Sequence, residues 1–289
     1  MSATFAAIPP LLLGTEALLG VTRSSRARTL EALRRHREPG ALGRTMREAL
    51  AAGAGGVVVT PSSEARAALA AEGAEVPAWA LVPNVPAYVR DASDFGLVGA
   101  ALRRVRGASP ATLVRLGMTG VTHAAGVLAS DLAGLVPVLL ELECASLSAR
   151  RLEAVILAST LTDLALAGEH RGFFDHYVRF VRSRFRVRAG FETHNLGTLL
   201  RRLREWGIAP DCVIGPVNPR GLQMKPTPEA TLAELARAEF PVIAKELRAG
   251  GAASLEEGAR FARAGGASAV IADLVDLDGG CADLSRLRS

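Results

Sequence analysis

The stretch VRAGFETHNLGTLLRRLREWGIAPDCVIGPVN, residues 187–218, decides the fold of this chain. It contains two short apolar runs, residues 187–193 and 212–217, which have the length of strands. Between them, large apolar residues recur at spacings of three and four, as on one face of a helix. They are Leu196, Leu199, Leu200, Leu203 and Trp206. The order strand, helix, strand predicts a parallel βαβ unit.

The same alternation extends over the whole chain of 289 residues. Six further apolar runs read as strands, at residues 11–15, 57–60, 79–82, 154–159, 242–245 and 268–272. Helix starts are marked by Thr227 before Pro228, and by the capping-box pattern from Ser254 to Glu257. Eight strands alternating with helices predict an α/β fold, a (β/α)8 TIM barrel that spans residues 1–289 as one domain.

Residues 94–150 depart from this pattern, because they read as consecutive helices without a strand. We predict a helical insertion between strands 3 and 4, which elaborates the third helix layer, caps the barrel, lines an apolar pocket or contributes to a homodimer. Residues 116–140 are strongly apolar, but glycines and Asp131 interrupt them, so we expect no stable membrane insertion.

Composition and charge restrict the partners. The net charge of +5 comes with arginines scattered along helices, and only 4% of residues are aromatic, which argues against a nucleic-acid partner and favours a small-molecule substrate. The three cysteines are far apart and show no zinc-binding spacing, so we expect a reducing cytoplasm.

The active sites of TIM barrels lie at the C-terminal ends of the strands. The polar residues that follow the predicted strands are therefore expected to bind substrate: Glu16, Asn84, Asn195, Asn218 and Arg220. Asp273 follows strand 8 on the same rim, without an assigned role. Gly250 and Gly251 lead to Ser254 at a helix start, where backbone amides can hold a phosphate or carboxylate or merely form a turn.

Lys225 and Lys245 are the only lysines among 34 lysines and arginines, and both are predicted on the catalytic face. Lysine, unlike arginine, can lose its proton and act as a base or form an imine. We predict that Lys245 is catalytic and that Lys225 contributes to substrate binding. The alternative is that Lys245 pairs with a barrel carboxylate or binds an anion as a point charge.

His194 closes the run Phe191–Asn195 at the end of strand 5, where an imidazole can transfer protons near neutral pH. Asp163 follows strand 4, and we predict that both residues are catalytic proton-transfer partners. A structural, hydrogen-bonded His194 is the alternative. No HxH or HExxH spacing is present, so no metal is expected.

The second half, in the run from Gly190 to Gly251, resembles the barrels of aldo/keto reductases, and the opening Leu11–Thr15 is similar to the start of that fold. It is more similar to a group of uncharacterised TIM-barrel proteins with a THN motif after strand 5, here at Thr193, and an NxxGxxM motif after strand 6, here at Asn218. The resemblance to the reductases implies an NADPH-dependent oxidoreductase. However, the chain lacks that family's tyrosine after strand 2 and lysine at strand 4.

Three functions follow from these features. We predict an enzyme acting on a small carbonyl or anionic, possibly phosphorylated, metabolite, with lyase or aldolase-like chemistry at Lys245 and without a cofactor. One alternative is a reductase of the aldo/keto type that uses NADPH. The other is a non-catalytic barrel that binds a hydrophobic ligand or a protein partner through residues 94–150.

Overall fold

The computed structural model describes residues 5–20, 22–38, 40–72, 76–91, 93–94, 132–147 and 151–287. Its eight strands form a closed, all-parallel barrel in the order β1 to β8, and this confirms the predicted TIM-barrel fold. The strands are β1 (Leu11–Gly14), β2 (Val57–Val59), β3 (Ala78–Val82), β4 (Leu152–Leu157), β5 (Arg188–Glu192), β6 (Cys212–Pro216), β7 (Val242–Lys245) and β8 (Ala269–Asp273). Seven of the eight predicted strands differ by one or two residues at one or both ends, and the predicted β4 extended into the helix that begins at Ser159.

Helices surround the barrel. Residues 85–91 after β3 are helical, and the other described α-helices include Arg26–Arg35, Ala41–Ala51, Ser63–Glu72, Leu132–Leu147, Ser159–Ala167, Arg171–Arg184, Leu196–Trp206, Pro228–Leu235, Leu255–Ala264 and Ala282–Ser285. Thr227 and Ser254 cap two of them as predicted, because each side chain accepts a hydrogen bond from the backbone amide three residues later, at 3.2 and 3.0 Å.

Alternation along the strands separates two apolar layers. One set of buried side chains fills the inside of the barrel and includes Leu12, Val58, Trp79, Ile214 and Ile243. The neighbouring residues of each strand point outward and pack against the helices in a larger core. Any polar residue two positions after an inner apolar residue is therefore directed towards the barrel axis, at the C-terminal end of its strand.

The helix Leu132–Leu147 occupies the place of the third barrel helix, because it packs against β3 and against the helices Ser63–Glu72 and Arg171–Arg184. Its Glu141 is buried and accepts hydrogen bonds from Nε and Nη2 of Arg184, the second at 2.9 Å. The predicted insertion at residues 94–150 otherwise falls largely outside the described residues, so its role stays a prediction.

The opposite end of the barrel is closed by the N-terminal segment. Arg188 at the start of β5 is buried and donates to the carbonyl of Ala6 at 2.6 Å, and its guanidinium lies over the rings of Phe5 and Trp79 at 5.2 and 5.5 Å. Its guanidinium also lies 3.2 Å from Glu153. This end is filled by packing, which leaves the C-terminal end for a site. Across the described part of the chain, no helix is both long and apolar enough to span a bilayer.

Candidate active site

A buried lysine lies at the centre of the C-terminal end of the barrel. Lys245 is the last residue of β7 and lies two positions after the inner residue Ile243, so its side chain is directed inward. Its Nζ donates to Oε2 of Glu16 at 2.9 Å and to Oε1 of Glu192. The Lys245 side chain is only 9% exposed, so this ion pair is largely shielded from water.

Glu192 is the fully enclosed partner of Lys245, at the end of β5. Its second oxygen, Oε2, accepts a hydrogen bond from the backbone amide of Ser159 at 3.0 Å. Burial favours the neutral acid, but the charge and hydrogen bond of Lys245 and the Ser159 amide outweigh it, so the pKa of Glu192 is lowered. Glu192 thus remains ionised and holds the lysine in place.

Glu16 is the more exposed carboxyl of the pair, on the short 3-10 helix Glu16–Leu19 directly after β1. Burial and then repulsion from Glu192 raise the pKa of Glu16 to about 7, although Lys245 acts in the opposite direction. One ammonium cannot neutralise two carboxylates, and Glu192 has an additional amide donor. Glu16 therefore exchanges its proton near neutral pH.

Lys245 itself is held in the protonated state. Burial alone lowers the pKa of Lys245, but the charges of Glu16 and Glu192 and their hydrogen bonds raise it above its ordinary value. The contacts match the alternative in which Lys245 pairs with barrel carboxylates. They do not test whether Lys245 is catalytic, and they favour a cation over a nucleophile.

Asp273 brings a third carboxyl to the same place. It is the last residue of β8, pairs in register with Gly14 of β1, and lies two positions after the inner residue Ile271. Its Oδ1 accepts a hydrogen bond from the amide of Val275 at 3.3 Å. Burial, followed by repulsion from Asp276 and Glu16, raises the pKa of Asp273 well above its ordinary value.

Glu16, Lys245 and Asp273 line one open pocket at the C-terminal ends of β7, β8 and β1, with a volume of about 480 Å³ that includes space open to solvent. Its wall holds more carboxyls than cations: Glu16, Glu246, Asp273 and Asp276 against Lys245 and Arg248. Gly250, one of the predicted binding residues, lines the pocket with a φ of +70°, a conformation that favours glycine. Both cations are already paired, Lys245 with Glu16 and Glu192 and Arg248 with Asp278, so the pocket is better suited to a neutral ligand than to an anionic one.

Asp163 and His194 form a second polar cluster beside Glu192. Oδ1 of Asp163 accepts from the Thr193 hydroxyl, and Oδ2 accepts from the His194 amide at 3.1 Å and lies 3.6 Å from His194 Nδ1. Burial favours the neutral acid, but the bonds from His194 and Thr193 outweigh it, so the pKa of Asp163 is lowered. The two predicted proton-transfer residues therefore lie together, although neither lines the pocket of Glu16 and Asp273.

Three predicted asparagines are held by hydrogen bonds to residues of the loops around the barrel end. The Asn84 amide donates to the carbonyl of Pro61 at 2.7 Å, and Asn218 exchanges two hydrogen bonds with the backbone of Leu222, each at 2.9 Å. Both side chains are buried, Asn84 against the loop after β2 and Asn218 within its own loop. Asn195 donates its backbone amide to Thr193 at 2.8 Å and precedes the helix Leu196–Trp206. Their binding roles stay predictions.

The remaining predicted binding residues lie around the rim. Arg220 is exposed, donates to the carbonyl of Ala252 at 3.2 Å, and approaches Glu257 at 3.9 Å. Lys225 and Gly251 are exposed, and Ser254 caps its helix. The pocket thus contains Glu16, Lys245 and Gly250 of the predicted set.

Glu192 and Asp273 were not in that predicted set. The sequence signal that could have found them is a carboxyl at the end of an apolar strand, two residues after an inner position. Burying a carboxyl there costs free energy unless the group is paired or protonated. Among the described residues, no group of three or more His, Cys, Asp or Glu side chains is arranged to hold a metal ion.

Comparisons with known proteins support the fold alone. No family model matches the chain, and no curated protein matches it. A solved structure described as a "putative aldo-keto reductase" from Pseudomonas aeruginosa has a TM-score of 0.57 and 12% sequence identity, and the match covers 96% of this chain and 89% of that one. The chain is therefore similar to an aldo-keto reductase barrel over nearly its whole length, at an identity that establishes only the shared architecture.

Proposed function

We propose that this chain is an enzyme of the lyase type that removes the proton next to the carbonyl of a small, neutral, hydroxylated carbonyl compound. The observation that carries the proposal is Lys245 Nζ, buried between Glu16 and Glu192 at the mouth of the barrel. A carboxyl with a pKa near the working pH is suited to act as a general base, and Glu16 lines the pocket.

Lys245 acts in this proposal as a fixed cation. An ammonium has three N–H groups, and Glu16 and Glu192 accept from two of them, so one can face a substrate oxygen. When Glu16 takes the carbon-bound proton, negative charge develops on the carbonyl oxygen and is stabilised by the nearby ammonium. Glu192 keeps the ammonium in position through its second bond to Ser159.

An imine mechanism, as in aldolases that use a lysine, is the less supported version. It requires a neutral amine, whereas the two carboxylates raise the pKa of Lys245. An anionic or phosphorylated substrate is also less supported, because both cations of the pocket wall, Lys245 and Arg248, are already paired with carboxylates.

A reductase of the aldo/keto type is the second candidate, favoured by the likeness of the barrel to a structure described in those terms. The side chains do not add support. Tyr177 lies on the helix Arg171–Arg184 and donates to the carbonyl of Val155, outside the barrel, and Tyr88 lies within the helical residues 85–91 after β3. Non-catalytic binding through residues 94–150 is the third candidate.

The test is solvent deuterium incorporation into a panel of small hydroxyaldehydes, hydroxyketones and keto acids, followed by NMR in D2O. We expect incorporation next to the carbonyl with the wild type, a rate that rises with pH up to about 7, and a loss of about 100-fold or more in Glu16→Gln. Glu205→Gln on an outer helix is the matched control and should keep the wild-type rate.

Two further measurements separate the alternatives. Borohydride trapping with the same panel, read by intact mass in wild type and Lys245→Arg, detects an imine. Binding of NADPH, followed by fluorescence, detects a reductase. A trapped adduct lost in Lys245→Arg would replace the enolate mechanism, and tight NADPH binding without deuterium incorporation would replace the proposed reaction by hydride transfer.

A further inference from the structure

We propose that Asp273 is a second catalytic residue of this site, the general acid that protonates the leaving oxygen after Glu16 has removed the carbon-bound proton. This inference rests on the proposed lyase function and specifies that reaction as the elimination of water from a β-hydroxy carbonyl compound.

The position of Asp273 is set by the pairing of β8 with β1. Asp273 is in register with Gly14, and Glu16 follows Gly14 by two residues, so the two carboxyls come from adjacent strand ends and line one pocket. Two carboxyls on the wall of one small pocket can act on neighbouring atoms of one substrate, one as base and one as acid.

The space for the Asp273 carboxyl depends on a glycine. A Cβ on Gly14 would lie 3.0 Å from Oδ2 of Asp273 and 2.8 Å from Cγ2 of Ile271, both too close for an unstrained contact. Oδ1 is held by the amide of Val275, so Oδ2 is the oxygen that remains for a proton and a substrate. Gly14 thus provides the room in which Oδ2 lies beside the pocket.

The charges around Asp273 keep it in the acid form. The carboxyls of Asp276 and Glu16 face it and oppose ionisation, whereas Lys245 and the Val275 amide act in the other direction and are outweighed by burial. Glu16 exchanges its proton near neutral pH, whereas Asp273 retains its own. Two carboxyls whose environments separate their protonation states in this way are suited to opposite roles.

The step is balanced without a further reactant. Glu16 takes the proton from the carbon next to the carbonyl, and the electron pair of that C–H bond moves towards the carbonyl oxygen, which gives an enolate. The enolate then forms a double bond to the β-carbon as the bond between the β-carbon and its hydroxyl breaks. The proton on Oδ2 of Asp273 passes to the departing oxygen, which leaves as water. The site ends with a protonated Glu16 and an ionised Asp273, and proton exchange with solvent restores both.

The test compares two substrates that differ in their leaving group, so that the two proton transfers can be measured separately. The probes are glyceraldehyde, whose β-hydroxyl needs an acid to leave, and 3-chloro-2-hydroxypropanal, whose chloride does not. We expect Asp273→Asn to incorporate deuterium into glyceraldehyde at a rate within about 3-fold of the wild type. Its rate of water elimination should fall by about 100-fold or more, whereas its rate of chloride release should stay within about 10-fold of the wild type. Asp273→Ser, whose hydroxyl can accept from the Val275 amide but is no acid, should behave alike and is the second variant if Asp273→Asn does not fold.

The outcomes distinguish this inference from the proposed function. The role of Asp273 as acid would be overturned if a folded variant lost all three activities equally, or lost none of them. Incorporation by the wild type would in both cases still support the role of Glu16. No incorporation into glyceraldehyde by wild-type protein would overturn the inference for this substrate class, and no incorporation over the whole panel would overturn the proposed function as well.

Discussion

Replacing Glu16 by glutamine should change how the stability of the protein depends on pH. The folded chain holds the Glu16 proton up to a pKa of about 7, whereas the unfolded chain releases it near the ordinary value of 4.5. Between these pH values unfolding releases a proton, so the free energy of unfolding falls as pH rises. Glutamine has no such proton, and its amide oxygen can still accept from Lys245 Nζ.

The size of the effect follows from the same two values. A difference of about 2.5 pH units, at about 1.4 kcal/mol per unit, sets a limit of about 3 kcal/mol. Between pH 5 and pH 8, and with 24% of the Glu16 side chain exposed, we expect about 2 kcal/mol. Relative to Glu16→Gln, the wild type should therefore lose about 2 kcal/mol of stability over this interval.

The assay is urea unfolding at pH 5, 6, 7 and 8, followed by the fluorescence of Trp79 and Trp206. Because Asp273 and Asp276 also release protons with raised pKa values, the measured quantity is the difference between wild type and Glu16→Gln at each pH. Glu205→Gln, on an outer helix, should show a difference that does not vary with pH. A constant difference for Glu16→Gln as well would refute the assignment of the exchangeable proton to Glu16.

Three further substitutions test the packing that supports the site, each by urea unfolding at pH 7. Arg184→Met leaves the buried carboxylate of Glu141 unpaired and should cost about 3–5 kcal/mol, and an unchanged stability would contradict that ion pair. Gly190→Ala places a Cβ 2.5 Å from Cδ1 of Ile156 inside the barrel and should cost about 1–3 kcal/mol, whereas a stabilised variant would show that the interior has room. Thr227→Ala removes a helix cap and should cost about 1 kcal/mol, and Thr227→Ser should restore most of it.

The fold brings some of the predicted site residues together and places others apart. Glu16, Lys245 and Gly250 meet in one pocket, and Asp163 meets His194, because each follows the C-terminal end of a strand. Asn84 and Asn218 also follow strands, yet their side-chain amides donate to backbone carbonyls, that of Asn84 in the loop after β2 and that of Asn218 in its own loop. The position of a residue on the rim can be predicted from the sequence, whereas the direction of its side chain and its hydrogen-bond partner cannot.

The sequence by itself determined the barrel, its eight strands and the caps at Thr227 and Ser254, because apolar periodicity and helix caps are local signals read over a few residues. It also singled out Lys245, through the scarcity of lysine. Only the tertiary structure decided that this lysine lies between Glu16 and Glu192, which are 229 and 53 residues away from it along the chain. Protonation depends on burial and on charges brought together by barrel closure, and such long-range contacts leave no periodicity in the sequence.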